Sequence, residues 1–477
     1  MIEKGVAVPD SFDLVVIGGG PGGYAAALYG ASAGLSVALV EQDKVGGTCL
    51  HRGCVPAKAF LETASVNRTV RGAQQFGIGD GVVPAVDFTV SQDRKQSVVG
   101  QLFAGLSGLI KGRGITLYNG TGTLGADGEV TITGSDGEVT GISGSNVVLA
   151  PGSLPRTVPG FVVDGRLVLT SDEFLDLATL PGRVAVIGGG AIGCEFASML
   201  ADLGSEVTMF EAMETILNGC DDDVVRTVAR SFKKRGITVL AGTQVNGHTP
   251  SPDGTSTVVS YGDSQSVEVD AVVVSVGRRP RTEGLLGEGT GVTIDERGFV
   301  VVDELMATTA PGVWAVGDAT ATPQLAHVAF AEAIVAVRSV LGEAAVPVDY
   351  SRVPWAIYCH PEVAFAGMTE AQARSAGHDV VVKKDPFGGN SRARIIGETE
   401  GMVKVVAERR PDGSAGQVLG VHMVGPWVTE QLGAGYLAVN WEATVDEVAH
   451  FIQPHPSLSE TFGEAVLALT GRGLHVG

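Results

Sequence analysis

Leu14-Val15-Val16-Ile17-Gly18-Gly19-Gly20-Pro21-Gly22-Gly23 is an apolar run that stops abruptly in glycine, and an alanine-rich segment, Tyr24 to Ala33, follows it. The run from Phe12 to Ile17 reads as a buried strand, and the segment after the glycines reads as a helix. Gly18, Gly20 and Gly23 fit the pattern G-x-G-x-x-G. In such a turn the first glycine permits the bend, the second lets the backbone approach a pyrophosphate, and the third lets the helix pack on the strand. The next strand, Ser36 to Val40, ends at Glu41, where a carboxylate can accept hydrogen bonds from an adenosine ribose.

The pattern returns farther along. Arg183 to Ile187 leads into Gly188-Gly189-Gly190-Ala191-Ile192-Gly193, then a helix, then a strand from Glu206 to Phe210 that ends at Glu211. Each acid stands 23 residues after its first glycine (41 − 18 and 211 − 188). One Gly-rich turn is often only a turn; two in matching strand–turn–helix–strand contexts read as two dinucleotide-binding folds. Gly188, Gly190, Gly193 and Glu211 then form the second cradle. An acid at that position suits the 2′-hydroxyl of NAD and repels the 2′-phosphate of NADP. The following Ala212-Met213-Glu214 offers no arginine for a phosphate, so NAD is favoured.

Between the two folds lies Gly46-Gly47-Thr48-Cys49-Leu50-His51-Arg52-Gly53-Cys54-Val55-Pro56-Ala57-Lys58. Its two cysteines fall at what reads as a helix start. Five residues of regular helix separate them by about 7.5 Å along the axis, beyond the roughly 7 Å Cα limit for a disulfide. A bond between them requires a distorted first turn, for which Gly46, Gly47 and Gly53 supply the freedom. A helix N-terminus also favours a thiolate. The pair reads as a redox-active dithiol, ahead of a structural disulfide. A metal site would need further ligands, and Cys194, Cys220 and Cys359 are scattered with no second pair.

Elsewhere, Ser91 to Lys111 reads as a helix, Ile115 to Leu149 as short strands, and Ala271 to Val276 as another strand. An apolar strand ending in Gly317-Asp318 places a carboxylate where cofactors lie in such folds. After about residue 347, strands such as Gly401 to Ala407 and Gly416 to Val424 alternate with helices such as Thr429 to Asn440, a separate α+β region that carries His455 five residues before Glu460.

At 477 residues the chain is too long for one core. A net charge of −20 argues against general attraction to nucleic acid or anionic membrane. The first ten residues lack a secretory h-region, no apolar run reaches membrane-spanning length, and five cysteines form no disulfide framework; a cytoplasmic protein is expected.

Taken in order, these segments resemble the FAD-dependent pyridine nucleotide-disulfide oxidoreductases over essentially the whole chain, from Leu14 to Glu464. The resemblance implies an α/β fold: two Rossmann-like dinucleotide-binding domains plus a C-terminal α+β dimerisation domain. The expected limits are 1–155 and 276–347 for the FAD and central parts, 156–275 for NAD, and 348–477 for the interface domain. It implies FAD on Gly18, Gly20, Gly23, Glu41, Gly47, Thr48, Gly152, Gly317 and Asp318, with Ala326 and His327 along the flavin. Gly277 joins the NAD cradle. Cys54 faces the flavin, Cys49 exchanges disulfides with substrate, and Lys58 pairs with Glu195. His455, oriented by Glu460, is the acid–base group and reaches the cysteine pair of the other subunit of a homodimer. The branch most resembled oxidises dihydrolipoyl groups carried by an acyltransferase or carrier protein, with NAD as acceptor.

Other branches fit less well. Those that reduce glutathione-type disulfides prefer NADP, and the mercuric reductases carry a C-terminal cysteine pair that Gly473-Leu474-His475-Val476-Gly477 lacks. Reduction of quinones or another small disulfide with NAD(P)H is the alternative. Three departures stand out from relatives: Pro151 removes a backbone donor, Ala191 leaves the nicotinamide side more open, and His51-Arg52 is bulkier and more polar than usual between the cysteines.

Overall fold

The structure is a computed structural model that describes residues 10–79 and 85–475. Most of the segment read for a secretory signal, residues 1–9, and the terminal Val476 and Gly477 lie outside the described residues. The chain divides into two compact units. The first takes the chain up to Ala59, Thr89–Arg156 and Arg278–Tyr350; the second takes Phe60–Phe88, Thr157–Gly277 and the chain from Ser351 onward.

The first unit is built on a seven-stranded sheet. Thr116–Asn119, Val37–Glu41, Asp10–Ile17 and Val139–Leu149 run parallel in that order, and Val313–Ala315 adds parallel to Val139–Leu149. The hairpin Thr121–Leu124/Glu129–Thr133 extends the sheet antiparallel. Leu14 and Val16 pack beneath helices, against Ala26, Ala333 and Ala336, while Val15 and Ile17 pack against Leu124, Val130, Leu285 and Val300, so both faces are covered and the strand is an unbroken apolar run. The first helix is Pro21–Ser32. Proline sits in its first turn, no β-branched residue interrupts it, and Gly34 at φ +91° follows its end. Ala326–Val340 packs against it.

The second unit repeats the scheme. Thr238–Leu240, Glu206–Phe210, Arg183–Ile187 and Ala271–Val274 run parallel in the same third–second–first–fourth order, with Val168–Leu169 at the edge. A meander of Val245–Pro250, Thr257–Tyr261 and Gln265–Val269 is a separate antiparallel sheet. The C-terminal part is a five-stranded antiparallel sheet ordered Trp355–Ile357, Glu362–Gly367, Ala415–Gly425, Met402–Arg409, Val380–Pro386. It packs its own core, including Val403, Val421, Met423, Phe462 and Val466, against helices Val428–Asn440 and Glu460–Leu469.

Lys404 is among the charged groups buried in this unit. The Lys404 ammonium, with its side chain 3% exposed, meets Asp221 at 2.9 Å, Asp223 at 2.8 Å and Glu370 at 3.0 Å. Three carboxylates offset the desolvation of one ammonium and tie the start of helix Asp222–Lys234 to the C-terminal sheet.

Candidate active site

The segment between the cysteines is distorted as the spacing requires. Helix Gly47–His51 stops, Arg52 leaves helical geometry at φ −138°, and a second helix, Cys54–Gly72, begins. Gly46 lies at φ +105°, and a Cβ there would sit 2.4 Å from Leu50 Cδ2. A Cβ on Gly47, at φ +55°, would sit 2.7 Å from Gly20 Cα, and the Gly46 N–H donates to the Gly19 carbonyl at 2.7 Å. The dithiol segment is therefore seated directly on the first glycine turn. His51 and Arg52 act as fasteners: His51 Nε2 meets the Val45 carbonyl at 2.9 Å with its ring edge-on to Phe103, and Arg52 pairs with Asp43.

Cys49 corrects the expectation of a favoured thiolate. Its thiol is hydrogen-bonded with Cys54, and that bond, then burial, then the charge of Cys54 all push its proton affinity up; Lys58, one turn beyond Cys54, opposes them and is outweighed. A dithiol at this separation resists holding two negative charges, so the pair gives up its second proton far less readily than its first. Tyr24, on the first glycine helix, was not singled out in the sequence; burial, then the charges of Cys49 and Cys54, raise its hydroxyl to about 12.

Asp318 lies in the turn Gly317–Ala319 after strand Val313–Ala315. Ser153 Oγ donates to its Oδ2 at 2.5 Å, and Arg278 Nε donates to Ser153 Oγ at 2.6 Å while standing 3.8 Å from the same carboxylate oxygen. The Gly317 N–H donates at 2.7 Å to buried Glu332, which also accepts from Tyr350 Oη at 2.9 Å. Glu332 lies on helix Ala326–Val340, so this bond fixes the Asp318 turn against the helix that Ala326 and His327 begin. Ser153, Arg278 and Glu332 carry no sequence motif; they are brought to Gly317-Asp318 from 165, 40 and 15 residues away in the chain (318 − 153, 318 − 278 and 332 − 317). Gly152, beside Ser153, is at φ +77°.

The two glycine turns match in detail. A Cβ on Gly18 would lie 2.1 Å from the Ala150 carbonyl oxygen, and one on Gly188 2.5 Å from that of Ser275. A Cβ on Gly23 would lie 1.7 Å from the Gly18 oxygen, and one on Gly193 1.8 Å from the Gly188 oxygen. The middle glycines differ in kind: a Cβ on Gly20 has only Gly47 Cα at 4.0 Å, and one on Gly190 meets nothing within 4 Å. No protein atom requires them to be glycine, so the space at both helix starts fits the close approach of a pyrophosphate. Neither N-cap has a side-chain acceptor, leaving the first N–H groups of Pro21–Ser32 and Ala191–Leu203 for an anion. Gly277, at φ +107°, likewise has no protein atom near an added Cβ.

The two acids are held alike. Glu41 accepts from the N–H of Gly19 at 2.7 Å and of Asp43 at 2.8 Å; Glu211 accepts from Gly189 at 2.6 Å and Met213 at 2.7 Å. Each carboxylate is oriented by backbone and keeps lone pairs for a ribose. Beside Glu41 lies a cavity of about 450 Å³, part of it open solvent, lined among others by Gly18, Gln42, Pro151 and Arg281. It has the size of an adenosine site, and Arg281 closes one side by donating to Gln42 at 3.1 Å.

In the second unit, His455 Nδ1 meets Glu460 Oε1 at 2.8 Å, and the Ser457 N–H donates to Glu460 Oε2 at 2.8 Å. Burial raises the Glu460 carboxyl, but those two partners outweigh it and hold it below the usual range. His455 itself is 71% exposed, which leaves its outer nitrogen open. Glu195 is buried on helix Ala191–Leu203 and accepts from the Tyr358 N–H at 2.9 Å. Lys58 belongs to the first unit and Glu195 to the second. No group of three or more metal-ligating side chains occurs among the described residues, and no described helix is long and apolar enough to cross a membrane.

Residues 12–333 match the family described as pyridine nucleotide-disulphide oxidoreductase, and residues 353–466 match its dimerisation domain. A dihydrolipoyl dehydrogenase of Bacillus subtilis is 41% identical over 475 residues, covering 97% of this chain and 99% of the relative. Dihydrolipoyl dehydrogenase 3 of Pseudomonas putida is 36% identical, covering 98% and 100%. Among solved structures, LpdA of Mycobacterium tuberculosis superposes with a TM-score of 0.89 at 26% identity, covering 96% of this chain and 99% of the other. The HOCl-induced flavoprotein disulfide reductase RclA of Escherichia coli, in its Cu(II) complex, gives 0.86 at 27%, covering 96% and 99%. With the repeated glycine turns and the cysteine pair in place, the chain belongs to the pyridine nucleotide-disulphide oxidoreductases, enzymes that work with FAD and NAD.

Proposed function

We propose that this protein oxidises dihydrolipoyl groups to their cyclic disulfide and passes the electrons to NAD. The observation that carries the reading is the Cys49–Cys54 pair, seated on the first glycine turn with Lys58 one helical turn away. FAD, held by Gly18, Gly20, Gly23, Glu41, Gly47, Thr48, Gly152, Gly317 and Asp318 with Ala326 and His327 along it, supplies two-electron transfer between the dithiol and NAD. Gly188, Gly190, Gly193, Glu211 and Gly277 hold NAD.

The protein's own groups manage thiols and protons. With Cys49 and Cys54 joined, a substrate thiol gives its proton to His455, and the resulting thiolate attacks Cys49 Sγ. The Cys49–Cys54 bond breaks and Cys54 leaves as thiolate, beside Lys58. The second substrate thiol then releases its proton to solvent and its thiolate attacks the substrate sulfur bonded to Cys49; the cyclic disulfide forms and Cys49 leaves, taking from His455 the proton of the first thiol. The hydrogen bond with Cys54, which raises the proton affinity of Cys49, favours its return to the thiol at that point. Glu460 keeps Nδ1 occupied so that the outer nitrogen does the transfer.

Pairing of Lys58 with Glu195 belongs to the same reading. So does a homodimer in which His455 of the partner subunit serves the cysteine pair of the first. Trp441, Phe451 and Ile452 (95% exposed) present the apolar surface such an interface needs, within the dimerisation-domain match. We assign the domain limits as 1–155 and 276–347, 156–275, and 348–477, the substrate to a lipoyl-bearing acyltransferase or carrier protein, and the location to the cytoplasm. The test is NAD reduction by dihydrolipoamide with NADP as control. Brisk NAD-specific turnover supports the reading; no turnover, with NADH still reducing the flavin, overturns the substrate and redirects it to quinones or other disulfides.

A further inference from the structure

A second histidine–carboxylate pair stands beside the first. His475, near the end of the chain, folds back onto helix Glu460–Leu469, where its Nδ1 meets Glu464 Oε1 at 2.9 Å and its backbone N–H donates to Glu464 Oε2 at 3.1 Å. The His455–Glu460 pair has the same Nδ1-to-Oε1 contact at 2.8 Å. Glu460 and Glu464 are one helical turn apart and share a face, so the two pairs are neighbours. The charge of His475 helps lower the Glu460 carboxyl, and Asp385, on the adjoining strand, is raised to about 6 by burial and then by Glu464, with His475 opposing.

We propose that His475, seated on Glu464, is a positioning residue for the acid–base pair, setting the electrostatic field in which His455 and Glu460 hold their proton. The inference rests on the assignment of His455 as the acid–base group. Charged groups stand on several elements around it: helix Ser391–Ile396, whose cap Asn390 donates to the Ser457 carbonyl at 2.9 Å, carries Arg392 and Arg394. Strand Val380–Pro386 contributes Asp385 and Lys383, helix Glu460–Leu469 contributes Glu460 and Glu464, and the preceding loop contributes His455. Charges on other elements packed against the helix are committed elsewhere: Asp446 to Arg410, Glu447 to its own helix cap, and Lys404 to Asp221, Asp223 and Glu370.

The two members of the pair act with opposite sign. Removing the His475 imidazole leaves Glu464 without its partner and favours the protonated form of His455. Removing the Glu464 carboxylate takes away the anionic partner one helical turn from Glu460, so protonated His455 is disfavoured. A base must be neutral to accept the thiol proton, so the acid limb of dihydrolipoamide oxidation follows the His455 charge.

The experiment is the pH profile of kcat/KM for dihydrolipoamide in the FAD-loaded protein and its H475Q, E464Q and H455Q variants, with NADH-to-dye transfer as the flavin control. Exposed charges within about one Debye length shift a neighbour by roughly 0.3–0.5 pH unit. The H475Q limb moves up by that amount and the E464Q limb moves down, with dye reduction unchanged in both. A merely structural tether lowers activity without moving the limb in opposite directions, and that result overturns the proposal. His475 is 78% exposed, so H475Q carries the test even where E464Q folds poorly. If H455Q keeps full exchange activity, the acid–base assignment has failed. If H455Q loses it while the H475Q profile superimposes on the parent, only the present inference has failed.

Discussion

Alanine at Gly190 and at Gly193 should separate folding from binding within one turn. Gly190 has φ −73° and ψ −170°, which alanine adopts freely, and an added Cβ meets no protein atom within 4 Å. The unfolded chain loses freedom, worth about 0.4–1 kcal/mol in favour of the variant. Alanine is a poorer N-cap than glycine by a similar amount. The two offset, so G190A should keep the parent's stability within about 0.5 kcal/mol. The methyl group would instead occupy the approach of the NAD pyrophosphate to the helix start. Loss of one charge-assisted hydrogen bond costs roughly 1.5–3 kcal/mol, a ten- to hundredfold weakening. Gly193 is the reverse case: its Cβ would stand 1.8 Å from the Gly188 oxygen and 2.9 Å from Ser275 Oγ, so the backbone must move. Overpacking of that kind costs about 1–3 kcal/mol or more. Thermal unfolding of both variants and NADH titration of G190A give the answer. Unchanged NADH affinity in G190A, or equal destabilisation of both variants, would refute the argument.

Cys49→Ser should abolish dihydrolipoamide oxidation while NADH-to-dye transfer survives; survival of both, measured side by side, would remove the dithiol from the route. His455→Gln should slow disulfide exchange by roughly 10²–10⁴-fold and leave flavin reduction by NADH unchanged, as stopped-flow traces of the two half-reactions will show. Lys404→Ala leaves three carboxylates facing one another without their ammonium and should cost about 3–5 kcal/mol at pH 7 by denaturant unfolding. Asp223 and Glu370 are held below the ordinary carboxylate range, Asp223 by Lys404, Arg226 and Lys384 against burial, and Glu370 chiefly by Lys404. Their contribution is complete above the unfolded carboxylate range near pH 4 and is lost as pH falls through the depressed folded values. The gap between parent and Lys404→Ala should therefore narrow below about pH 4; a gap constant down to pH 2 would show that the ion cluster is not its source.

The parts of this protein that local chemistry dictates were legible from the residues in order. A strand that ends in G-x-G-x-x-G can only bend there, because the Cβ of any other residue at Gly18 or Gly23 would collide with a carbonyl oxygen. The acid 23 residues on closes the same unit, so the two strand–turn–helix–strand units followed from spacing. The Cys49–Cys54 separation likewise demanded a broken helix, and the break falls at Arg52-Gly53. His455 and Glu460 were close in sequence, though their 2.8 Å contact needed the helix start to bring them together. What only the tertiary structure decided are interactions whose partners lie far apart in the chain. Ser153 and Arg278 around Asp318, Glu332 beneath Gly317, and the Lys404 cluster show no periodicity or motif. The proton affinity of Cys49 also went against its helix-start position, because the hydrogen bond with Cys54 and then burial raise it. Local sterics act through the residue's own backbone and can be read from it; fields and buried hydrogen bonds depend on which distant side chains the fold brings to the same place.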